Sequence, residues 1–168
     1  MKHLIYCFVA ALLISTTSFA QKEDKEVGAF KNGHYVITAN NNDLKKIFNQ
    51  HLSNIKINIT VKTIQIKKLT IANTRKKYYM LLAESADHTV KAAITLKLRD
   101  SVFIAAFANK TFEFICVCSG CDKGCIPQRT KEDNESVWMC SPCKNTQTDK
   151  TKKSECMKSE TVTGPDKS

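Results

Sequence analysis

Seven cysteines crowd one stretch of this chain, at positions 116, 118, 121, 125, 140, 143 and 156. Over the same stretch apolar side chains nearly vanish. Cysteine aside, residues 119–168 hold only Ile126, Val137, Trp138, Met139, Met157 and Val162. Such a segment cannot build a hydrophobic core, so crosslinks, a metal or a neighbouring layer has to hold it. The cysteines therefore constrain the fold more than any other feature.

Which chemistry they serve depends on the compartment. Met1-Lys2-His3 is a short positive start, Leu4 to Ile14 is an unbroken apolar run, and Ser18-Phe19-Ala20 fits the small-x-small cleavage rule. A run of about 11 residues is well short of the ~20 that span a bilayer, so residues 1–20 read as a secretory signal peptide. The segment resembles Gram-negative secretory leaders whose cleavage exposes an N-terminal glutamine, here Gln21. Most of the apolar run follows Cys7 instead of preceding it, which argues against a lipid anchor. No other segment is apolar enough to span. The expected address is the periplasm or the outside of the cell, where clustered thiols oxidise.

In that setting the leading expectation is a disulfide-stapled knob formed from Cys116, Cys118, Cys121, Cys125, Cys140, Cys143 and Cys156. Seven is odd, and on the order of 100 connectivities are open. The alternative is a zinc ribbon. Cys118-Ser119-Gly120-Cys121 and Cys140-Ser141-Pro142-Cys143 are two C-x2-C knuckles, separated by a gap within the usual ~15–20 residues. Cys118, Cys121, Cys140 and Cys143 would then be zinc ligands. A further alternative rests on Trp138-Met139-Cys140-Ser141-Pro142-Cys143, which is similar to the thioredoxin-family redox turn, with Met139 intervening. That resemblance implies a thiol-disulfide oxidoreductase working through Cys140 and Cys143. The run Cys116-x-Cys118-x2-Cys121-x3-Cys125-Ile126-Pro127 resembles a bacterial ferredoxin motif with its first gap shortened, but export in the unfolded state argues against a cluster.

Ahead of the knob lies the apolar part of the chain. Residues 21–34 are polar, with two glycines, and read as a loose, flexible lead-in. Tyr35 to Thr38 suits a short strand. Asn40 to Asp43 offers helix caps, and Leu44, Ile47, Phe48 and Leu52 make one stripe, which predicts a helix over about 43–53. His51 beside that stripe reads as a half-buried edge residue. Ile55, Ile57, Ile59 and Val61 alternate with polar residues as in a strand. The phase then slips near Lys62-Thr63, which calls for a bulge. Lys77 to Ser85 reads as a strand buried on both faces, Val90 to Leu98 alternates, Arg99 to Ser101 turns, and Val102 to Ala108 and Thr111 to Cys118 return.

The expected fold is α+β: one helix packed on an antiparallel meander of about four strands over residues 35–118. Its order is similar to a cystatin-like wrap. The knob follows over 119–157, and 158–168 is expected to be a disordered tail.

Charge adds one candidate surface. Residues 21–118 carry 16 Lys+Arg against 8 Asp+Glu, so the excess sits on the apolar body and not in a tail. Lys56 and Lys62 are expected on one strand face, and Lys91, Lys97 and Arg99 on another. Either face is a candidate for an anionic partner, and another exported protein is the other partner expected. With only three arginines in the chain and no aromatic interleaving, nucleic acid is not expected. His34, His51 and His88 stand in no Cys-His or Ser-His setting, and no phosphate-loop or hydrolase signature occurs. The sequence thus predicts an exported, non-enzymatic binding or structural module without a cofactor, the zinc alternative aside.

Overall fold

The structure is a computed structural model that describes residues 22–108, 110–133, 135–143 and 155–160, the last three of these by backbone alone. The signal peptide expected over 1–20 lies outside the described residues.

Two chain reversals set the sheet. Strand β1 (Lys22–Lys31) folds back onto β2 (His34–Ile37) through Asn32-Gly33, where φ is 51° and 81°. Positive φ at both central residues is the mirror-image turn that matches strand twist, and glycine takes it without cost. The same geometry recurs at Asp100-Ser101, with φ of 48° and 67°, joining β5 (Lys91–Arg99) to β6 (Val102–Ala108).

Between β2 and the next strand runs the one helix of the described residues, α1 (Asn41–Asn54). The Asn40 side chain accepts from the backbone N–H groups of Asn42 and Asp43 at 2.9 and 3.4 Å, satisfying donors that the first turn leaves open. Leu44, Phe48 and Leu52 form its buried stripe. Strand β3 (Val61–Thr70) then pairs with β4 (Lys77–Ser85), and β4 with β5. The register shifts between Val61 and Thr63, where the hydrophobic phase slips.

The outer edge of β5 is shared. Its Lys97–Arg99 end pairs with β6, and its Lys91–Ala93 end pairs with β8 (Phe114–Ser119). The short β7 (Thr111–Phe112) lies between these two strands, and β11 (Glu155–Glu160) pairs along the far edge of β8. The antiparallel sheet has nine strands and curls into a half-barrel around α1. Phe48 reaches Phe112 with ring centroids 5.0 Å apart, amid Leu81, Ile94, Phe103, Ile115 and Val117. Close approach is also needed at Gly28 on β1. A Cβ there would collide with the Val36 carbonyl and with Ile66, and β1 shifts register at this point.

The expected four-stranded α+β layer is therefore corrected. Strand makes up 59% of the described residues and helix 11%, a mostly β architecture. The main reason is β1. Its polar residues hid a strand in the segment read as a flexible lead-in, although Val27 and Ala29 face the core. A second correction concerns Ile55 to Thr60. These residues alternate but form no ladder, and Ile55, Ile57 and Ile59 pack half-buried against the core as the chain leaves the helix. Burial of α1 carries the interior: Phe48→Ala should cost ~3–5 kcal/mol by chemical denaturation, against under ~0.5 kcal/mol for the exposed Lys46→Ala.

Candidate functional site

The outward face of the sheet is apolar too. Tyr78, Met80 and Leu82 of β4, Ala93 of β5 and Cys116 of β8 are buried there, beneath Trp138. The cover is a second, two-stranded sheet, the hairpin of β9 (Pro127–Glu132) and β10 (Glu135–Cys140). This explains why β4 is apolar at consecutive positions: α1 lies on one side and the hairpin on the other. The cysteine-rich region is thus a layer over the sheet. β11 also takes in residues 158–160, which the sequence assigned to a tail.

Three kinds of contact hold the hairpin. The Arg129 N–H donates to the Tyr78 hydroxyl at 3.1 Å, and the Ala72 N–H donates to the Arg129 carbonyl at 2.8 Å. Trp138 meets Tyr78 edge-on with centroids 6.2 Å apart and lies parallel to Phe114 at 6.4 Å. Disulfides Cys118–Cys125 and Cys121–Cys143 pin the loop that enters the hairpin and the strand end that leaves it.

At one side of the hairpin an open groove of about 480 Å³ remains, with Ile104, Ala106, Phe114, Val137 and Trp138 among its walls. Arg129 lies in it. Its guanidinium sits 5.6 Å from the Trp138 ring centroid and donates to Thr95 Oγ1 at 3.0 Å, to Ser136 Oγ at 2.8 Å and to the Ser136 carbonyl. All of these acceptors are neutral. Among the described residues no carboxylate forms an ion pair with Arg129. Burial lowers its pKa from the usual arginine value, and Tyr78 pulls weakly the other way. The other charged groups at the groove do have partners: Glu113 pairs with Lys22, and Lys97 lies 3.7 Å from Asp24. The groove thus presents a half-buried positive charge on an aromatic wall.

Arg129, Trp138, Phe114, Thr95 and Ser136 do not stand out as a set in the sequence. The available signal was an arginine in a chain whose cations are nearly all lysine, facing the one apolar triplet, Val137 to Met139, of a polar segment.

The predicted site residues distribute as follows. Of the zinc-ribbon set, Cys118, Cys121 and Cys143 are in disulfides, and Cys140 is in neither, its sulfur within 4.8 Å of those of Cys118 and Cys125. Of the redox pair, Cys143 is bonded to Cys121, while Cys140 ends a strand instead of opening a helix. Hydrogen bonding with Cys116, burial and Cys156 push the Cys140 thiol well above the usual cysteine range, the reverse of what a nucleophilic cysteine needs. Cys116, Cys140 and Cys156 come together, their sulfurs within 4.8 Å of one another.

The basic candidates are placed on several elements. Lys56 is in the turn after α1, Lys62 is exposed on β3, and Arg99 is exposed at the end of β5. Lys97 is at the groove. Lys91 is turned inward, its Nζ 2.9 Å from Glu84 Oε1, with side chains only 13% and 14% exposed. Among the described residues no helix is long and apolar enough to cross a membrane. No family model matches the chain, and neither a curated protein nor a solved structure matches it.

The Glu84–Lys91 pair has a readable pH signature. Burial alone would raise the Glu84 pKa, but hydrogen bonds from Lys91 and His88 outweigh it and hold the carboxyl below its usual value. A depressed carboxyl stabilises the fold above its unfolded pKa, and that contribution is lost as pH falls through the folded value. Glu84→Gln should therefore cost on the order of 1–3 kcal/mol near neutral pH, the worth of hydrogen bonds to a charged group, and denaturation curves of variant and parent should begin to converge only once pH falls below the ordinary glutamate value of ~4.3.

Proposed function

We propose that the chain is an exported, non-enzymatic binding module whose site is the groove at one side of the β9–β10 hairpin, and whose ligand is a small apolar or aromatic molecule bearing one anionic group. The observation that carries this reading is the Arg129 guanidinium, half-buried against Trp138 with neutral acceptors only. A guanidinium in this state has given up solvation without gaining a counter-charge. A carboxylate or sulfonate entering the groove supplies that charge through a charge-assisted bond, and the aromatic wall takes the apolar part.

The exported address rests on the Leu4 to Ile14 run with its cleavage signature, and on two disulfides that suit an oxidising compartment, periplasmic or extracellular. The dispersal of the lysines favours a compact anion over a broad anionic surface as partner. The zinc-ribbon and Cys140–Cys143 redox readings require thiols of Cys118, Cys121 and Cys143 that the disulfides occupy.

Trp138 is the only tryptophan of the chain, so intrinsic fluorescence reports on the groove wall. Titration with phenylbutyrate should give a saturable change in emission, and phenylbutyramide should bind about tenfold or more weakly, the worth of one charge-assisted bond. Arg129→Gln should abolish the difference between acid and amide while circular dichroism stays unchanged. Equal response to acid and amide in the parent protein would overturn the assignment.

A further inference from the structure

Two disulfides use four of the seven cysteines that follow residue 20, and the other three converge on one spot beneath the hairpin. Cys116 comes from β8, Cys156 from β11 and Cys140 from the end of β10. The Cys116 and Cys156 sulfurs are 3.8 Å apart, and all three lie within 4.8 Å of one another. We propose that Cys116, Cys140 and Cys156 form an all-sulfur binding site for one soft monovalent cation, Cu(I).

Sheet register argues against a disulfide at this spot. Cys156 stands opposite Cys118, and Cys116 opposite Lys158, so Cys116 and Cys156 are diagonal neighbours on adjacent strands. Diagonal pairs sit about 7–8 Å apart, beyond the ~4.4–6.8 Å between Cα atoms that a disulfide favours. An ion bridges the longer span. With metal–sulfur bonds of about 2.3 Å, two thiolates on one ion are about 3.8–4.0 Å apart, the separation seen here.

The donor set selects the ion. Three thiolates suit soft cations, whereas structural zinc takes four ligands in a tetrahedron. The other sulfurs close to Cys140 belong to Cys118 and Cys125, which are bonded to each other, and no histidine or carboxylate joins either cluster of the described residues. Cys116 and Cys140 are buried. Cys156 reaches the surface and supplies the route in. On binding, each thiol releases its proton to solvent and forms a bond to copper, which stays Cu(I); no electron moves. The site is separate from the groove and does not rest on the ligand proposed there.

The test uses the full exported chain, purified from an oxidising compartment and handled without oxygen. Denatured protein should show three reactive thiols. Titration with Cu(I) against bathocuproine disulfonate should give one tightly held ion per chain, with sulfur-only coordination by X-ray absorption. Cys156→Ser, a change at the surface, should weaken binding on the order of 100-fold while leaving circular dichroism unchanged. Cys140→Ser should do the same, and the coordination spectrum serves as the readout if that variant folds poorly. Three results would each overturn the proposal: a Cys116–Cys156 disulfide in the peptide map, three thiols that retain no Cu(I), or Zn(II) held in preference to Cu(I).

Discussion

Strand β8 has to be apolar on both faces, and the rest of the structure depends on it. Ile115 and Val117 point into the half-barrel toward α1, while Cys116 and Cys118 point outward under the hairpin, and all four are buried. A strand buried on both faces gains hydrophobic free energy twice, but only if a second layer is held in place over it. The half-barrel supplies one layer from its own helix. The other comes from a segment too polar to stay there by itself.

Trp138 and the staples supply that hold. Trp138 buries the largest apolar surface in the hairpin, and Tyr78 and Phe114 grip it from the sheet. Even so, Pro127 to Cys140 has few other apolar contacts. Closing loops with sequence separations of 7 and 22 lowers the entropy of the unfolded chain by an amount worth ~2 and ~3 kcal/mol. Cys118 is itself on β8, so its disulfide starts from the strand that needs covering. Sulfur does here what a larger hydrophobic face would do in a longer domain.

Much of this was legible in the residues and some was not, for identifiable reasons. The helix showed because Leu44, Phe48 and Leu52 carry a clean stripe behind an asparagine cap. The reversal at Asp100-Ser101 and the slip near Lys62 showed because turns and bulges leave local marks. β1 did not show. Its register against β6 is set by partners about 80 residues away, and its outward residues are charged, so periodicity read as polarity. The extent of the sheet was hidden for the same reason, since pairing of β8 with β5 and β11 is non-local. The crosslinked nature of the C-terminal region was legible from composition, but its connectivity was not. Pairing depends on which sulfurs the sheet brings together, and spacing in the chain carries no such information.

Net charge and site charge come apart in this protein for a related reason. Its formal charge of +10 drew attention to the lysines, yet Lys91 is neutralised by Glu84, Lys22 by Glu113, and Lys97 lies by Asp24. An exposed lysine is a hydrated point charge on a flexible stem, so its field is screened within about 8 Å at physiological salt. Arg129 contributes a single charge to that total. Its planar head is fixed by three hydrogen bonds and an aromatic face, partly removed from water, where the local dielectric is lower and its donors already point in set directions. One such guanidinium discriminates among ligands more sharply than a row of solvated ammonium groups, because its orientation has been fixed during folding. A charge count weights all cations alike, so it cannot show that the fixed, half-buried cation of the groove is this one.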